Sequence, residues 1–588
     1  MKNFFKNVLA TVVGLLLFFM VMWVIMLAMI VAIAGSTDTA PTVKNNSILK
    51  LDLSVVNERV ADSPFDIYMS KLFGQTDAVG LNNLKKVIAA AKEDPKIKGI
   101  ELNVSKLAVS PATCDAIRNL LEDFAEEKPI FCYGDYFTTS GYYLASVSDH
   151  IYMHPDGSLM LAGLSMKLTF FKKMLDKLGI EMQIIRHGTF KSAVEPFMLD
   201  KMSPANELQY KTLLNSIWGH ICQKISESRD ISVDYLNKIC DLLMVVDDAN
   251  FAVEANLIDD VLYKDQYEST VKDYLEIPQS DDIQYITYNH YKKSILNSTF
   301  GSKGDEIAIV YAVGDIMEAS DNSYSQEEVV AYNIVEELSK VRMDENVKAV
   351  VFRVNSPGGS ALLSESIWRE VSLTQKVKPV VVSMGDYAAS GGYYIACAAD
   401  YIVTEPTTLT GSIGVFGMFP YYEKALEDKL GITFDVVNTN EHSEAFKGGR
   451  KLDAFERQFF QKSVDRTYAL FTERVAEGRH LSVTLVDSLG QGRVWSGISA
   501  VKLGLADTLG GIDVAIAKAA ALSHIEKYTI TEYPKIKPFW AIFMDSETET
   551  ALQQKILGKE AYTYLYNMQS VLQMKGIQAR LPYLIEFQ

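Results

Sequence analysis

A serine surrounded by small residues lies in the second half of the chain, in the segment VVVSMGDYAASGGYYIACAAD. Ser390 follows a strand-like apolar run and a turn, and its neighbours are Ala388, Ala389, Gly391 and Gly392. It therefore stands at the predicted start of a helix. A serine at this position can cap the first helical turn through its hydroxyl, or it can serve as the nucleophile of covalent catalysis.

A pair of glycines lies upstream of this serine, in the segment VFRVNSPGGSALLSE. A predicted strand runs into Ser356-Pro357-Gly358-Gly359, and a predicted helix follows. Paired glycines let backbone N–H groups face a ligand without obstruction by side chains. Two such donors aimed at one point would stabilise an oxyanion, although the same residues also suit a tight strand-to-helix turn. Together with Ser390, the pair favours a catalytic role.

The elements that must position these residues occur twice in the chain. GDYFTTSGYYLASVSDHIYMHP begins at Gly134 and GDYAASGGYYIACAADYIVTEP begins at Gly385, an offset of 251 residues. Upstream, DPKIKGIELNV pairs with DENVKAVVFRV, and downstream LGIEMQII pairs with LGITFDVV. Three matches in the same order indicate a duplicated domain, and the period is far too long for a solenoid.

Each copy alternates apolar, β-branched runs with helical segments. In the second copy, residues 306–313, 347–354 and 377–384 are typical of buried strands. Helices are predicted over 364–375 and 390–399. Such alternation predicts an α/β fold with a mainly parallel sheet.

Four motifs resemble the long, duplicated form of the signal peptide peptidase A family, also called protease IV, in the crotonase and Clp protease superfamily. They are GTFKSAVEPF (188–197), NSPGGS (355–360), YAASGGYY (387–394) and TGSIGV (410–415). The resemblance covers roughly residues 45–525. It implies two tandem crotonase/Clp-like domains and a serine endopeptidase.

The resemblance also implies a role for each matched residue. Ser390 would be the nucleophile and Lys191 the general base. The oxyanion hole would consist of Gly359 and the backbone N–H of Gly391, and Ser412 would orient the lysine amine by hydrogen bonding.

The residues around the predicted base agree with this role. The chain has no GxSxG elbow, and none of its eight histidines lies in either motif region near Ser390. A serine without a histidine partner needs another base, and burial can lower the pKa of a lysine until it serves. The neighbours of Lys191 suit burial because they are apolar: Phe190, Ala193, Val194 and Phe197. We interpret three histidines as structural: His150, His154 and His187.

The two copies divide the predicted catalytic groups. Thr139 aligns with Ser390 and residues 106–109 (KLAV) replace the glycine pair, so the first copy lacks a nucleophile and an oxyanion hole. Ser443 aligns with Lys191, so the second copy lacks the base. One complete site therefore needs both copies, and the neighbouring Ser140 is not expected to act as a second nucleophile.

A membrane anchor is predicted at the N-terminus. No charged residue occurs from Val8 to Ala34, and about 20 apolar residues suffice to cross a bilayer. Lys2 and Lys6 precede this run and Asp38 follows it, which predicts a cytoplasmic N-terminus and an extracytoplasmic or periplasmic body at the inner membrane. The run is too long for the core of a cleaved signal peptide.

These features predict seven segments along the chain. They are a cytoplasmic stub (1–7), the anchor (8–34), a polar linker (35–48), a first copy with the lysine (49–275), a connection (276–304), a second copy with the serine (305–524) and a C-terminal extension (525–588).

Composition excludes several other classes of function. A net charge of −17 argues against sequence-independent binding of nucleic acid, which needs a basic surface. The sequence contains no HExxH, P-loop or GxGxxG motif, so no metal or cofactor is expected. The five scattered cysteines are expected to be buried thiols rather than disulfides.

The resemblance implies partners as well as chemistry. The substrates would be peptides, chiefly remnants of cleaved signal peptides, and the chain would form a homo-oligomer, a tetramer-like ring or bowl. Two alternatives remain open from the sequence. A crotonase-like acyl-CoA enzyme would use the same oxyanion hole without needing export, and an inactive scaffold would keep the fold without turnover.

Overall fold

The computed structural model describes residues 13–24, 42–60, 78–243, 249–296, 304–317, 329–330, 333–535 and 577–581, together with Lys6 and Thr11. Residues 13–24 are helical and exposed. Among all these residues, no helix combines the length and the apolar character that a bilayer crossing requires. The predicted anchor, residues 8–34, lies only partly within the described residues.

Within the residues that the structure describes, the first copy has nine strands and ten α-helices. Its strands are β1 (Ser47–Asp52), β2 (Val56–Asn57), β3 (Val79–Gly80), β4 (Ile97–Asn103), β5 (Ile130–Phe137), β6 (His150–Leu159), β7 (Glu181–His187), β8 (Asp260–Val261) and β9 (Gln284–Thr287). Its helices are α1 (Leu81–Glu93), α2 (Pro111–Ala125), α3 (Thr139–Ala145), α4 (Lys172–Leu178), α5 (Glu195–Met198), α6 (Pro204–Arg229), α7 (Val233–Leu242), α8 (Ala249–Glu254), α9 (Lys264–Tyr274) and α10 (Tyr288–Leu296).

The second copy follows much of this order of elements and has further short strands. Its strands, with a short one near the C-terminus, are β10 (Glu306–Val313), β11 (Asp315–Ile316), β12 (Val329–Val330), β13 (Val347–Ser356), β14 (Gly358–Ser360), β15 (Val380–Ala389), β16 (Tyr401–Thr404), β17 (Leu409–Gly411), β18 (Val415–Tyr421), β19 (Val494–Ser496), β20 (Thr508–Leu509), β21 (Thr529–Tyr533) and β22 (Gln578–Arg580). Its helices are α11 (Asn333–Met343), α12 (Ala361–Gln375), α13 (Gly391–Ala396), α14 (Glu423–Leu430), α15 (Ala454–Arg479), α16 (Val483–Leu489), α17 (Gly497–Lys502) and α18 (Ile512–Leu522).

Each copy has its own mainly parallel sheet, as the sequence predicts. The first sheet has the strand order β8-β6-β5-β4-β1-β9, and all its neighbours are parallel. The second contains the path β19-β17-β15-β13-β10-β21, with β16 beside β15 and β20 beside β16. In β13 and β15 almost every residue is buried, because helices cover both faces of such a sheet.

The strand order also confirms the duplication. The run β5-β4-β1-β9 of the first sheet corresponds to β15-β13-β10-β21 of the second. Both copies carry a helix of 26 residues at the same place, α6 and α15. The strand β21 completes the second sheet beside β10, although its sequence matches neither copy.

A third sheet joins the two copies. Its order is β12-β11-β14-β22-β18-β7, so a strand of the first copy, β7, lies at the edge of a sheet of the second. The pairing of β7 with β18 is antiparallel and runs over seven residue pairs, from Val415 with His187 to Tyr421 with Glu181. The predicted lysine, Lys191, comes shortly after β7. The pairing of β7 with β18 therefore places it next to the second copy.

Candidate active site

Ser390 lies in a sharp turn between β15 and α13. Its backbone has φ 56° and ψ −115°, a conformation that costs energy for any residue with a β-carbon. Its side chain makes no capping hydrogen bond to the helix, so the structure does not support the capping interpretation. The turn instead directs the hydroxyl away from the helix, where it meets a side chain of the other copy.

That side chain is Lys191, whose Nζ lies 2.8 Å from Ser390 Oγ. The amine is also 3.2 Å from Ser412 Oγ and 3.5 Å from the Ser412 carbonyl oxygen. The lysine is 1% exposed and the serine is fully buried. Burial lowers the pKa of the Lys191 amine well below its ordinary value, because a charged amine loses its hydration in such a place. A neutral amine in this position can accept the proton of the serine.

One loop of the second copy, residues 490–493, contacts both the backbone beside Lys191 and the backbone of Ser412. The Phe190 N–H donates to the Gln491 carbonyl at 2.8 Å, and the Ser412 N–H donates to the Arg493 carbonyl at 2.7 Å. Gly492 has φ 81°, and a β-carbon there would lie 2.6 Å from the backbone nitrogen of Lys191. The loop 490–493 thus holds the lysine and Ser412 together.

This loop is the part of the site that sequence reasoning missed. Its GQGR sequence lies about a hundred residues beyond Ser390 and matches none of the four motifs. The spaced glycines, Gly490 and Gly492, were the available signal, since glycine permits close backbone approach. Gly414 in TGSIGV was available too, because a β-carbon there would lie 3.3 Å from Lys191 Cδ.

The glycine pair lies beside the first turn of α13. A β-carbon on Gly358, whose φ is 101°, would lie 2.6 Å from the backbone nitrogen of Gly391. The backbone at Gly359 approaches β11 so closely that a β-carbon would collide with the Ile316 carbonyl. The predicted oxyanion donors, Gly359 and Gly391, therefore belong to adjacent backbone segments next to Ser390.

The residues judged non-catalytic have other partners. Thr139 donates to the Met160 carbonyl at 3.1 Å, and the Ser443 hydroxyl bonds the Asn440 carbonyl at 2.9 Å in an exposed loop. Each of the three histidines contacts an aromatic ring: His150 stacks on Phe131, His154 meets Tyr263 edge-on, and His187 stacks on Tyr468. The Nδ1 atom of His187 also lies 2.8 Å from the Asp465 carboxylate. All five cysteines are buried and free.

One cluster within the described part of the chain has the spacing of metal ligands. It consists of His442, Asp453 and Glu456, whose ligand atoms lie within 4.8 Å of one another. The Glu456 carboxylate already accepts two hydrogen bonds from the Arg450 guanidinium. A cation would have to compete with that arginine, so the cluster is better described as an ion-pair network.

Comparison with known proteins agrees with the duplicated fold. The profile of "Peptidase family S49" matches residues 122–277 and 372–526, once in each copy. The chain belongs to this family, and it is a serine protease. That membership favours peptide hydrolysis over the acyl-CoA chemistry that the sequence left open.

Three relatives show how far the similarity extends. "Protease 4" of Haemophilus influenzae is 35% identical over 83% of this chain and 80% of the relative. "Protease 4" of Salmonella typhi is 32% identical over 90% of this chain and 87% of the relative. The "Serine protease SPPA, chloroplastic" of Arabidopsis thaliana is 32% identical over 77% and 68% of the two chains.

Proposed function

We propose that this protease cuts peptide bonds with a Ser–Lys dyad, in which Ser390 is the nucleophile and Lys191 is the general base. The observation that carries the proposal is the 2.8 Å separation of Lys191 Nζ from Ser390 Oγ in a buried setting. Burial lowers the pKa of the amine and so favours its neutral form, which can take the hydroxyl proton as the oxygen attacks the substrate carbonyl.

The remaining steps follow from the same geometry. The backbone N–H groups of Gly359 and Gly391 stabilise the negative charge on the tetrahedral intermediate. Lys191, now protonated, gives its proton to the departing amine, and an acyl group stays on Ser390. Water, activated by the neutral lysine, then releases the acyl product. Ser412 keeps the amine aimed at the serine throughout, since its hydroxyl lies 3.2 Å from Nζ.

Active-site labelling tests the dyad directly. A fluorophosphonate should modify Ser390, as mapped by mass spectrometry of the digested protein, and Ser390→Ala should abolish the adduct. Lys191→Ala should slow labelling strongly, because the serine loses its base, whereas Ser140→Ala should label normally. An adduct on Ser140 or another serine would refute the assignment.

We further propose that residues 8–34 anchor the protease in the inner membrane and that it degrades peptides, chiefly remnants of signal peptides, on the extracytoplasmic side. The uncharged run behind Lys2 and Lys6 supports the anchor. Alkaline carbonate should leave the protein in the membrane, and protease added to spheroplasts should degrade its body. A soluble form beginning near Gly35 would contradict the anchor.

The duplication supports a homo-oligomer, which we propose as a tetramer-like ring or bowl. Within the chain, β7 of the first copy pairs with β18 of the second. Their counterparts by alignment are residues 433–439 and 164–170, and neither segment pairs with another strand in the described part of the chain. Residues 433–439 expose apolar side chains, with Phe434 50% and Val437 98% exposed.

A second chain can satisfy both unpaired segments. Residues 433–439 of one chain would pair with 164–170 of the next, which repeats the internal β7–β18 contact between subunits. Such a head-to-tail contact closes into a ring when its rotation allows. Contiguous exposed apolar side chains of this kind mark interaction surfaces.

Sedimentation of the solubilised protein tests this contact. Val436→Pro should dissociate the assembly, because proline removes a backbone donor from the pairing segment. The matched control is Val483→Pro, at the first position of α16, where proline is tolerated. A wild-type monomer, or a Val436→Pro assembly of unchanged mass, would contradict the proposal.

A further inference from the structure

A buried glutamine lies between the proposed base and the second copy. Gln209 belongs to helix α6 of the first copy and is 1% exposed. The helix begins at Pro204, and the hydroxyl of the preceding Ser203 accepts the Asn206 N–H at 3.2 Å. Capping of this kind fixes where the first turn of a helix lies. With the start of α6 held in this way, Gln209 in its second turn lies beside the segment that carries Lys191.

The amide nitrogen of Gln209 contacts the residues on both sides of Lys191. Its Nε2 atom lies 3.2 Å from the Phe190 carbonyl oxygen and 2.9 Å from Ser192 Oγ. A third contact of 2.9 Å joins the same nitrogen to Asn206 Oδ1. A buried polar group that loses its hydrogen-bond partner costs free energy. These contacts therefore hold residues 190–192, the base segment, in place.

The oxygen of the same amide reaches the second copy. Gln209 Oε1 accepts the Val494 N–H at 3.3 Å. Val494 pairs with Gly411 at the start of β19, and the Gly411 carbonyl accepts the Ser390 N–H at 2.8 Å. A backbone N–H can only donate and the Phe190 carbonyl can only accept, so these two partners decide which way the amide points. One side chain thus connects the base segment to the strands that hold the serine.

The side chain of Gln209 is not free to bind a substrate. Both polar atoms of its amide have protein partners, and the residue is almost fully buried. An effect of Gln209 on cleavage must therefore act through Lys191. The position of the lysine amine decides its distance from Ser390 Oγ, which is 2.8 Å, and its shielding from water, which lowers the pKa of the amine.

We propose that Gln209 is a positioning residue, which holds the Lys191 amine at hydrogen-bonding distance from Ser390 and shields it from water. This inference rests on the proposed Ser–Lys dyad. The amide transfers no proton, and it ties the base segment of the first copy to β19 of the second. Its loss should slow proton transfer from the serine and leave the binding of a peptide nearly unchanged.

Kinetics of two variants test this role. Gln209→Ala removes the whole side chain, whereas Gln209→Met fills a similar space and removes only the amide. Both should lower kcat for a peptide by about tenfold to a hundredfold, with KM changing by less than about twofold, because a displaced base acts on the chemical step. The inflection in the pH profile of kcat/KM should move to higher pH, because water that reaches the amine raises its pKa toward the ordinary value.

The matched control is Gln183, another buried glutamine of the first copy that bridges to the second. Its Nε2 donates to the Arg450 carbonyl at 3.0 Å, and its Oε1 accepts the Leu452 N–H at 2.8 Å. These partners belong neither to the base segment nor to the loop 490–493. Gln183→Ala should therefore lower the free energy of unfolding, measured with denaturant, without moving the pH inflection.

The natural enzyme, measured beside the variants, separates the possible failures. An inflection near pH 10.4 in the natural enzyme would show that the proposed dyad is wrong, and the role of Gln209 would be lost with it. If that inflection lies well below 10.4, the dyad stands, and Gln209 variants with an unchanged kcat and inflection would overturn the positioning role alone. A kcat loss in Gln209→Met with an unmoved inflection, equalled by Gln183→Ala, would show that the glutamine supports only folding.

Discussion

The mechanism proposed for Ser390 and Lys191 depends on the position of one proton. The lysine amine must be neutral to accept it, and a free lysine titrates near pH 10.4. Burial lowers the pKa of Lys191 because the charged form is the one that loses hydration. In the proposed mechanism, the serine hydroxyl is the group that this base deprotonates.

The lowered pKa of Lys191 determines how cleavage should depend on pH. The kcat/KM for a peptide substrate should rise with pH through an inflection well below the ordinary lysine pKa. It should fall at lower pH, where the amine is charged and cannot act as a base. An inflection near pH 10.4 would show that Lys191 is not the base.

Substitutions should show the two residues acting as a unit. Ser390→Ala and Lys191→Ala should each nearly abolish cleavage, and the double variant should be hardly worse than either one. Lys191→Arg should fail as well, since a guanidinium stays charged at any usable pH. Substantial turnover by folded Lys191→Ala at neutral pH would refute the mechanism.

Ser412 is expected to act through the lysine. Its hydroxyl lies 3.2 Å from Nζ, so Ser412→Ala should leave the amine less well aimed and lower kcat by about tenfold to a hundredfold. Ser412→Thr should recover part of the loss, and the pH inflection should move in the alanine variant. An unchanged kcat and an unchanged inflection would show that the hydroxyl has no such role.

At the scale of elements, the site depends on a cross-copy sheet and one loop. The pairing of β7 with β18 brings Lys191 to the second copy, and the loop 490–493 fixes its backbone. Gly492 combines a positive φ with close approach to the lysine. The conformation of Gly492 therefore decides where the backbone of the proposed base, Lys191, lies.

Gly492→Ala should consequently lower kcat by more than its loss of folding stability can explain. A β-carbon would meet the Lys191 backbone, so kcat should fall sharply while the free energy of unfolding falls by about 1–3 kcal/mol. The matched control is Gly448→Ala, which has φ 74° but no atom within 4 Å of its β-carbon. That variant should lose some stability and keep its kcat; equal kcat losses in both would contradict the argument.

At the scale of the whole molecule, the contact between copies buries several charged groups. Asp115 of α2, in the first copy, accepts a 2.6 Å hydrogen bond from Thr407 of the second. Nearby, Glu405 is 1% exposed, and neither of its carboxylate oxygens has a hydrogen-bond partner among the described residues. Burial, and then the charge of Asp115, raise the pKa of Glu405 to about 8.

This carboxyl should make the free energy of unfolding fall as the pH rises from about 4.5 to about 8. The folded state holds the Glu405 proton up to about pH 8, whereas a free carboxyl titrates near 4.5. The stabilisation that this proton gives the folded state is fully present below pH 4.5 and is lost as the pH rises through 8. Its size is about 1.4 kcal/mol per unit of pKa shift. Denaturant unfolding should therefore show Glu405→Gln losing less stability than the natural protein between pH 6 and 9. If the unfolding free energies of the two proteins changed in parallel over this pH range, the raised pKa of Glu405 would be contradicted.

Local patterns in the sequence determine much of this protein. Strand and helix alternation, the repeat at 251 residues and the motifs around Ser390, Gly359 and Lys191 are all readable in short segments. Each depends on interactions among neighbouring residues, such as a glycine turn or a buried apolar run. The parallel sheets and the duplication are confirmed; the catalytic roles stay predictions that the geometry supports.

Only the tertiary structure decides which of these segments meet. Lys191 and Ser390 are 199 residues apart, and the pairing of β7 with β18 brings them together. The loop 490–493, the strand β21 in the second sheet and β22 in the third sheet carry no motif of their own. Strand pairing uses backbone groups that every residue possesses, so the partner of a strand depends on the rest of the fold rather than on its own sequence.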